Sequence, residues 1–152
     1  MRFHRAEVVR FLRRFGYPIP PALGAAAPRV LVHKARSHAS LAGALRTPQE
    51  GLFATVLEVA RGDYEVLVLD LDAFDRKSET ALVAAIRARP ETRCLYVVGM
   101  SGDPSRRRSF VRSNGDVAIA RGNGHTVGRT AKWLTGSVDE PPKGVIARKS
   151  YP

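Results

Sequence analysis

Four short runs are apolar at every position: Val30-Leu31-Val32, Val66-Leu67-Val68-Leu69, Cys94-Leu95-Tyr96-Val97-Val98 and Val117-Ala118-Ile119-Ala120. A strand with one face in water alternates polar and apolar residues. These runs do not, so each reads as a strand buried on both faces. Helical patterns separate them. Leu52 to Ala60 is apolar with a helical period and is closed by Gly62-Asp63. Ser78 is placed to cap a helix through Arg87, with Glu79 in the first turn where the helix dipole favours an acid. Ser105 is placed to cap a basic helix through Arg112, and Thr126 to Leu134 forms a last helix. Ser37 to Ala42 suits a short helix, and Ala44 to Thr47 a weak additional strand. Such alternation predicts an α/β fold: a doubly wound, five-stranded parallel sheet, with an extra helix at the N-terminus. In this architecture ligands sit at the carboxyl ends of the strands.

Prolines and periodicity divide the chain into three parts. In residues 1–27, Val8, Phe11, Leu12 and Phe15 fall on one face of a helix from Arg5 to Phe15, which Gly16 stops. A lone short helix is marginal in water, so this apolar face is expected to be buried. The prolines of YPIPPALGAAAP favour an extended linker over helix. Residues 28–135 hold the sheet. Residues 136–152, with Pro141, Pro142, Gly144, Lys143, Arg148 and Lys149, read as a loose basic tail.

The chain has 152 residues, of which 44% are hydrophobic and 26% charged, the balance of a single globular domain. It has one cysteine, Cys94, so no internal disulfide forms. This fits a reducing cytoplasm, and Cys94 itself reads as a small core residue. No apolar run approaches the roughly 20 residues of a membrane span, and no partner membrane is expected. The net charge of +11 favours polyanions, whether nucleic acid, an acidic protein face or an anionic membrane surface. Candidate contacts are Arg10, Arg13 and Arg14 on the first helix, and Arg106, Arg107, Arg108 and Arg112 on the basic helix. The same arginines could equally form solvated faces. Trp133 reads as a core anchor.

Asp70 follows the strongest strand, with Asp72 and Asp75 close behind. Carboxylates there can cap the next helix or face the crevice. RGDYEVLVLDLDAFD resembles the third strand of a response-regulator receiver domain. PETRCLYVVGMSGD resembles its fourth strand and the following loop, and NGDVAIARGN its fifth strand. The similarity covers about residues 28 to 134.

The resemblance makes Asp70 the phospho-acceptor position and implies a pocket of His33, Lys34, Asp72, Gly99, Ser101 and Arg121. Receivers end their first strand in acids that hold magnesium; here His33 and Lys34 stand there. Gly99 falls where receivers have Ser or Thr, with Ser101 two residues on. Arg121 and Gly122 replace the Lys-Pro after the fifth strand. One carboxylate beside an ammonium is a poor site for a cation that needs an octahedral shell of hard oxygens. Lys34 is therefore expected to pair with Asp70 and lock the crevice, the alternative being that it stands in for the metal and itself binds a phosphoryl group or another anion. His33 reads as a packed side chain, since no second ligand is near in sequence. The expected protein is a pseudo-receiver, not an enzyme, with no metal and no cofactor. It would act on another protein, or on itself as a homodimer through the face near Arg106. Two alternatives stay open: a phosphorylatable receiver using Asp70 with magnesium, and a nucleic-acid-binding module. RFHRAEVVRFLRRFGYPIPPAL also resembles the end of an excisionase-type or MerR-like winged helix-turn-helix domain. The recognition helix of that module would lie before Met1, leaving DNA binding open.

Overall fold

A computed structural model of the chain describes residues 4–33, 45–46, 56, 59–62, 64–73, 75–122 and 124–148. Helix α1 (Arg5–Arg14) and the short α2 (Pro21–Gly24) precede strand β1 (Val30–His33) and strand β2 (Leu45–Arg46). Then follow β3 (Val66–Asp70), a 3-10 turn (Leu71–Ala73), α3 (Arg76–Arg87), β4 (Tyr96–Ser101), α4 (Pro104–Ser113), β5 (Val117–Ala120), α5 (Gly124–Leu134) and β6 (Ile146–Ala147). The sheet order is β2-β1-β3-β4-β5-β6. The first five strands run parallel, as the fully apolar runs predict, and β6 pairs antiparallel with β5.

Both faces of the sheet are covered. Val30, Val32, Val66, Val68, Tyr96, Val98, Val117 and Ile119 pack with Ala6 of α1 and with Val127, Ala131, Trp133 and Leu134 of α5. The alternate residues Leu31, Leu67, Leu69, Val97 and Ala118 pack with Val56 and Val59, with Leu82, Val83 and Ile86 of α3, and with Phe110 and Val111 of α4. A central strand thus contributes every side chain to one core or the other, which is why its sequence shows no alternation.

Several local expectations are corrected. Asp75, not Ser78, caps α3: its carboxylate accepts the Ser78 N–H and hydroxyl, both at 2.8 Å. Asp103, not Ser105, caps α4, accepting the Ser105 N–H at 2.8 Å with Pro104 in the first turn. The acid lies just before the serine in both cases, and an ionised acceptor makes the stronger bond. The proline-rich linker contains α2, because proline is admissible in the first turn, where its missing N–H would have no helical partner. The fourth strand begins at Tyr96 rather than Cys94. The expected helix at Ser37 to Ala42 lies outside the described residues.

The tail is not loose as far as residue 148. A turn at Gly144, with φ of +78°, brings Ile146–Ala147 onto the β5 edge, and the Arg148 N–H donates to the Asp116 carbonyl at 3.0 Å. Val145 and Ile146 point to opposite faces and pack on the two cores. β6 therefore covers the β5 edge of the sheet. Residues 149–152 lie outside the described residues.

The first helix also departs from expectation. It buries Ala6 and Val9, while Phe11 and Phe15 are 55% and 58% exposed. The arginines take the place of the expected apolar face. Arg10 lies over the Tyr96 ring at 4.8 Å, and Arg13 over Trp133 at 5.4 Å while donating to the Val138 carbonyl at 3.1 Å. Long cationic side chains can cover aromatic surface with their stems and planar heads, so helical spacing alone misassigned the face. The Arg5 guanidinium forks onto Glu65 at 2.7 and 2.6 Å, completing the attachment.

Candidate functional site at the strand ends

The carboxyl ends of β3, β4 and β5 bring Asp70, Asp72, Ser101 and Arg121 together. Parallel register sets Asp70 beside Met100 and Ser101 beside Ala120, so the residues that close these strands lie side by side. Asp70 is 1% exposed and accepts the Asp72 N–H at 3.1 Å. The 3-10 turn then carries Asp72 across the end of β4. There one carboxylate oxygen accepts the Ser101 hydroxyl at 2.6 Å and the other accepts the Gly102 N–H at 3.1 Å. The Ser101 oxygen in turn accepts the Asp103 N–H at 3.0 Å.

Arg121 closes the site. Its Nη2 bonds to Asp70 and, at 2.9 Å, to Asp72, while its Nε reaches Asp72 at 3.2 Å. Its own N–H donates to the Ser101 carbonyl at 3.1 Å, and Arg107 donates to that same carbonyl at 2.7 Å. Hydrogen bonding to Asp70, and then to Asp72, holds Arg121 firmly protonated, above its ordinary value. Burial pushes Asp72 up, but the Ser101, Gly102 and Arg121 donors outweigh it and set the carboxyl below its ordinary value.

Of the pocket expected from sequence, Asp70, Asp72, Ser101 and Arg121 converge. Gly99 does not belong to it. It lies inside β4 on the α4 face, where an added Cβ would come within 2.5 Å of the Phe110 ring, so it is a packing position. Ser101 supplies the hydroxyl instead. His33 is buried at the end of β1, in register with Leu69 and one strand away from Asp70. Lys34 lies outside the described residues, and the partner of Asp70 that the structure shows is Arg121. Among the described residues, no cluster of three His, Cys, Asp or Glu side chains could hold a metal ion.

The basic helix is less exposed than its composition suggests. Arg106 forms an ion pair with the buried Glu79 and leans toward the Leu71 carbonyl, while Arg107 is spent on Ser101. Arg108 and Arg112 remain on the surface, as does Arg14 of α1. Sequence reasoning missed Gly102 and Asp103, whose N–H groups orient Asp72 and Ser101. It also missed the acids that anchor arginines: Glu65, Glu79 and Asp116. At the opposite end of the sheet a cavity of about 360 Å³ is lined by Arg5, Arg29, Tyr64, Glu65 and Cys94 among others. There Cys94 is half-buried rather than a full core residue, and its thiol bonds to Glu7 at 2.7 Å.

No family model, no curated protein and no solved structure matches the chain. Among the described residues, no helix is long and apolar enough to cross a membrane.

Proposed function

We propose that the chain is a pseudo-receiver: a cytoplasmic regulatory domain of a bacterial signalling or transcription protein that works through protein contacts, without phosphoryl chemistry. The supporting observation is Arg121, whose guanidinium bridges Asp70 and Asp72. A receiver would set magnesium against these carboxylates. The residues present do not fit that ion: the guanidinium takes up the inward oxygens, and His33 stands at the end of β1 where further acids would be needed. Phosphoryl transfer depends on positioning and charge neutralisation, and here the neutralising charge is covalently attached.

The bridge also ties the end of β3 to the end of β5, while the Ser101 carbonyl ties both to α4 through Arg107. A pocket satisfied in this way favours one arrangement of the α4–β5 side. The domain would therefore signal by its presence and its partners, not by switching. Titration of the free chain with magnesium and then beryllofluoride tests this, following the amides of Asp70, Ser101 and Arg121 by NMR. Flat spectra are expected. Saturable shifts reaching α4 would establish a phosphorylatable receiver instead.

The net charge of +11 supports nucleic-acid binding as a second reading. Of its candidate arginines, Arg14, Arg108 and Arg112 are the exposed ones. That reading requires steeply salt-dependent binding to duplex or single-stranded DNA.

A further inference from the structure

The aromatic face of α1 is left uncovered while the helix itself is held firmly. Ala6 and Val9 are buried, Arg5 is forked onto Glu65, Arg10 and Arg13 are seated on Tyr96 and Trp133, and the Tyr96 hydroxyl donates to the Ala6 carbonyl at 3.2 Å. Exposure of the other side is thus not a consequence of poor docking. On that side Phe11 and Phe15, one turn apart, meet with ring centroids 4.7 Å apart and form a ridge. Tyr17 is 57% exposed just beyond Gly16, whose φ of +70° ends the helix. Three large aromatic side chains exposed within seven residues depart from the usual surface, where large apolar groups are scattered singly.

Charge identifies the occupant. Arg14 is exposed beside the ridge, with its guanidinium 5.8 Å from the Phe15 ring centre. Four of the chain's 14 acids, Glu65, Glu79, Asp70 and Asp116, are paired internally, each facing an arginine. A second copy would bring Arg14 toward Arg14 and +11 toward +11. Nucleic acid is disfavoured by geometry. The two rings are tilted 48° to one another, which is no stacking ladder, and Arg10 and Arg13 are turned toward the protein's own aromatics. We infer that the Phe11–Phe15 ridge, with Arg14 and Tyr17, is a docking face for an acidic protein segment that offers an apolar groove or stripe. Apolar burial would supply the affinity and the acidic rim the orientation. Helix α1 is anchored on Glu65, Tyr96 and Trp133 and not on the Asp70 pocket, so the face does not rest on the state of that pocket.

Two synthetic helical peptides with the same leucine stripe test it, one flanked by glutamates and the other by lysines. They are titrated into the full chain alongside an oligothymidylate. The glutamate peptide should bind saturably, shift the Phe11 and Phe15 ring resonances, and weaken at least tenfold in Phe15→Ser and in Phe11→Ser. These side chains are exposed, so both variants should keep the native circular dichroism. Arg14→Glu should reverse the preference toward the lysine peptide. Equal binding of the two peptides, binding that survives both serine variants, or no binding by either peptide would overturn the inference. Stronger capture of the oligothymidylate at the same residues would also overturn it, as would self-association of the free chain that Phe15→Ser abolishes.

Discussion

The two ends of the sheet use the same ion pair for different purposes. At the amino end Glu65 and Asp116 each have their own arginine and a backbone donor. Glu65 holds Arg5 and accepts the Arg29 N–H at 3.1 Å; Asp116 holds Arg87 at 2.5 Å and accepts the Val97 N–H at 2.9 Å. At the carboxyl end one arginine serves two acids, and its side chain is 32% exposed against 13% for Arg5. The amino end fixes architecture by joining α1 and α3 to the sheet. The carboxyl end neutralises charge in an open crevice. Of these arginines Arg5 is the most enclosed, so its pair with Glu65 should matter most for folding, while the solvent-open Arg121 bridge should matter mainly for what can bind.

The sharpest way to break this contrast is Glu65→Gln. It leaves the Arg5 guanidinium, largely desolvated, without its carboxylate. The expected loss is about 3 kcal/mol, the range for removing one partner of a buried pair. Urea denaturation followed by Trp133 fluorescence measures it, and α1 should loosen first. A loss near zero would mean that aromatic seating of Arg10 and Arg13 alone holds the helix.

Arg121→Ala should cost less, about 1 to 2 kcal/mol, because solvent reaches the guanidinium and Asp70 keeps the Asp72 N–H. Arg121→Lys should recover only part of this, since a single ammonium cannot present a fork to both acids. If Arg121→Ala destabilised as much as Glu65→Gln in the same urea experiment, the carboxyl end would be an architectural tie as well.

The sheet was legible because it depends on hydrophobic runs, and a run such as Val66–Leu69 allows few other fates. Asp70, Asp72, Ser101 and Arg121 were legible because strand ends converge once parallel order is known. What escaped depended on side-chain reach. Nothing local tells Arg106 to fold back on Glu79, or Arg13 to lie on Trp133 far along the chain, so arginines that look like a basic surface turn inward. Helical spacing grouped Phe11 and Phe15 correctly with each other but on the wrong side, because it scores an arginine stem as polar. Gly99 was misassigned for a similar reason: the ring it accommodates, Phe110, comes from the next helix. The two-residue β6 is too short to carry a pattern.

The smallest expected effect distinguishes the ends by pH. Asp72 sits below its ordinary value of 3.8 in the folded chain, since the Ser101, Gly102 and Arg121 donors outweigh burial. A depressed acid contributes stability above its unfolded value and loses it as pH falls through the folded one. Its side chain is 40% exposed, so the contribution is a fraction of a kcal/mol, roughly that of a surface pair. Glu7 is lowered too, through its bond from Cys94, so acid also acts at the amino end. The alkaline side separates them. Burial, then the Glu7 bond, pushes the Cys94 thiol above its ordinary 9.0. A raised group contributes stability below its unfolded value and loses it as pH rises through the folded one. Urea midpoints measured from pH 3 to 10, a span of roughly seven units that brackets the ordinary aspartate and thiol values, should therefore fall at both extremes. Asp72→Asn should flatten only the acid limb, and Cys94→Ser only the alkaline one. An alkaline limb unchanged in Cys94→Ser would take that loss away from the thiol and assign it to the Tyr96 phenol, which burial also raises above its ordinary value and which sits under α1.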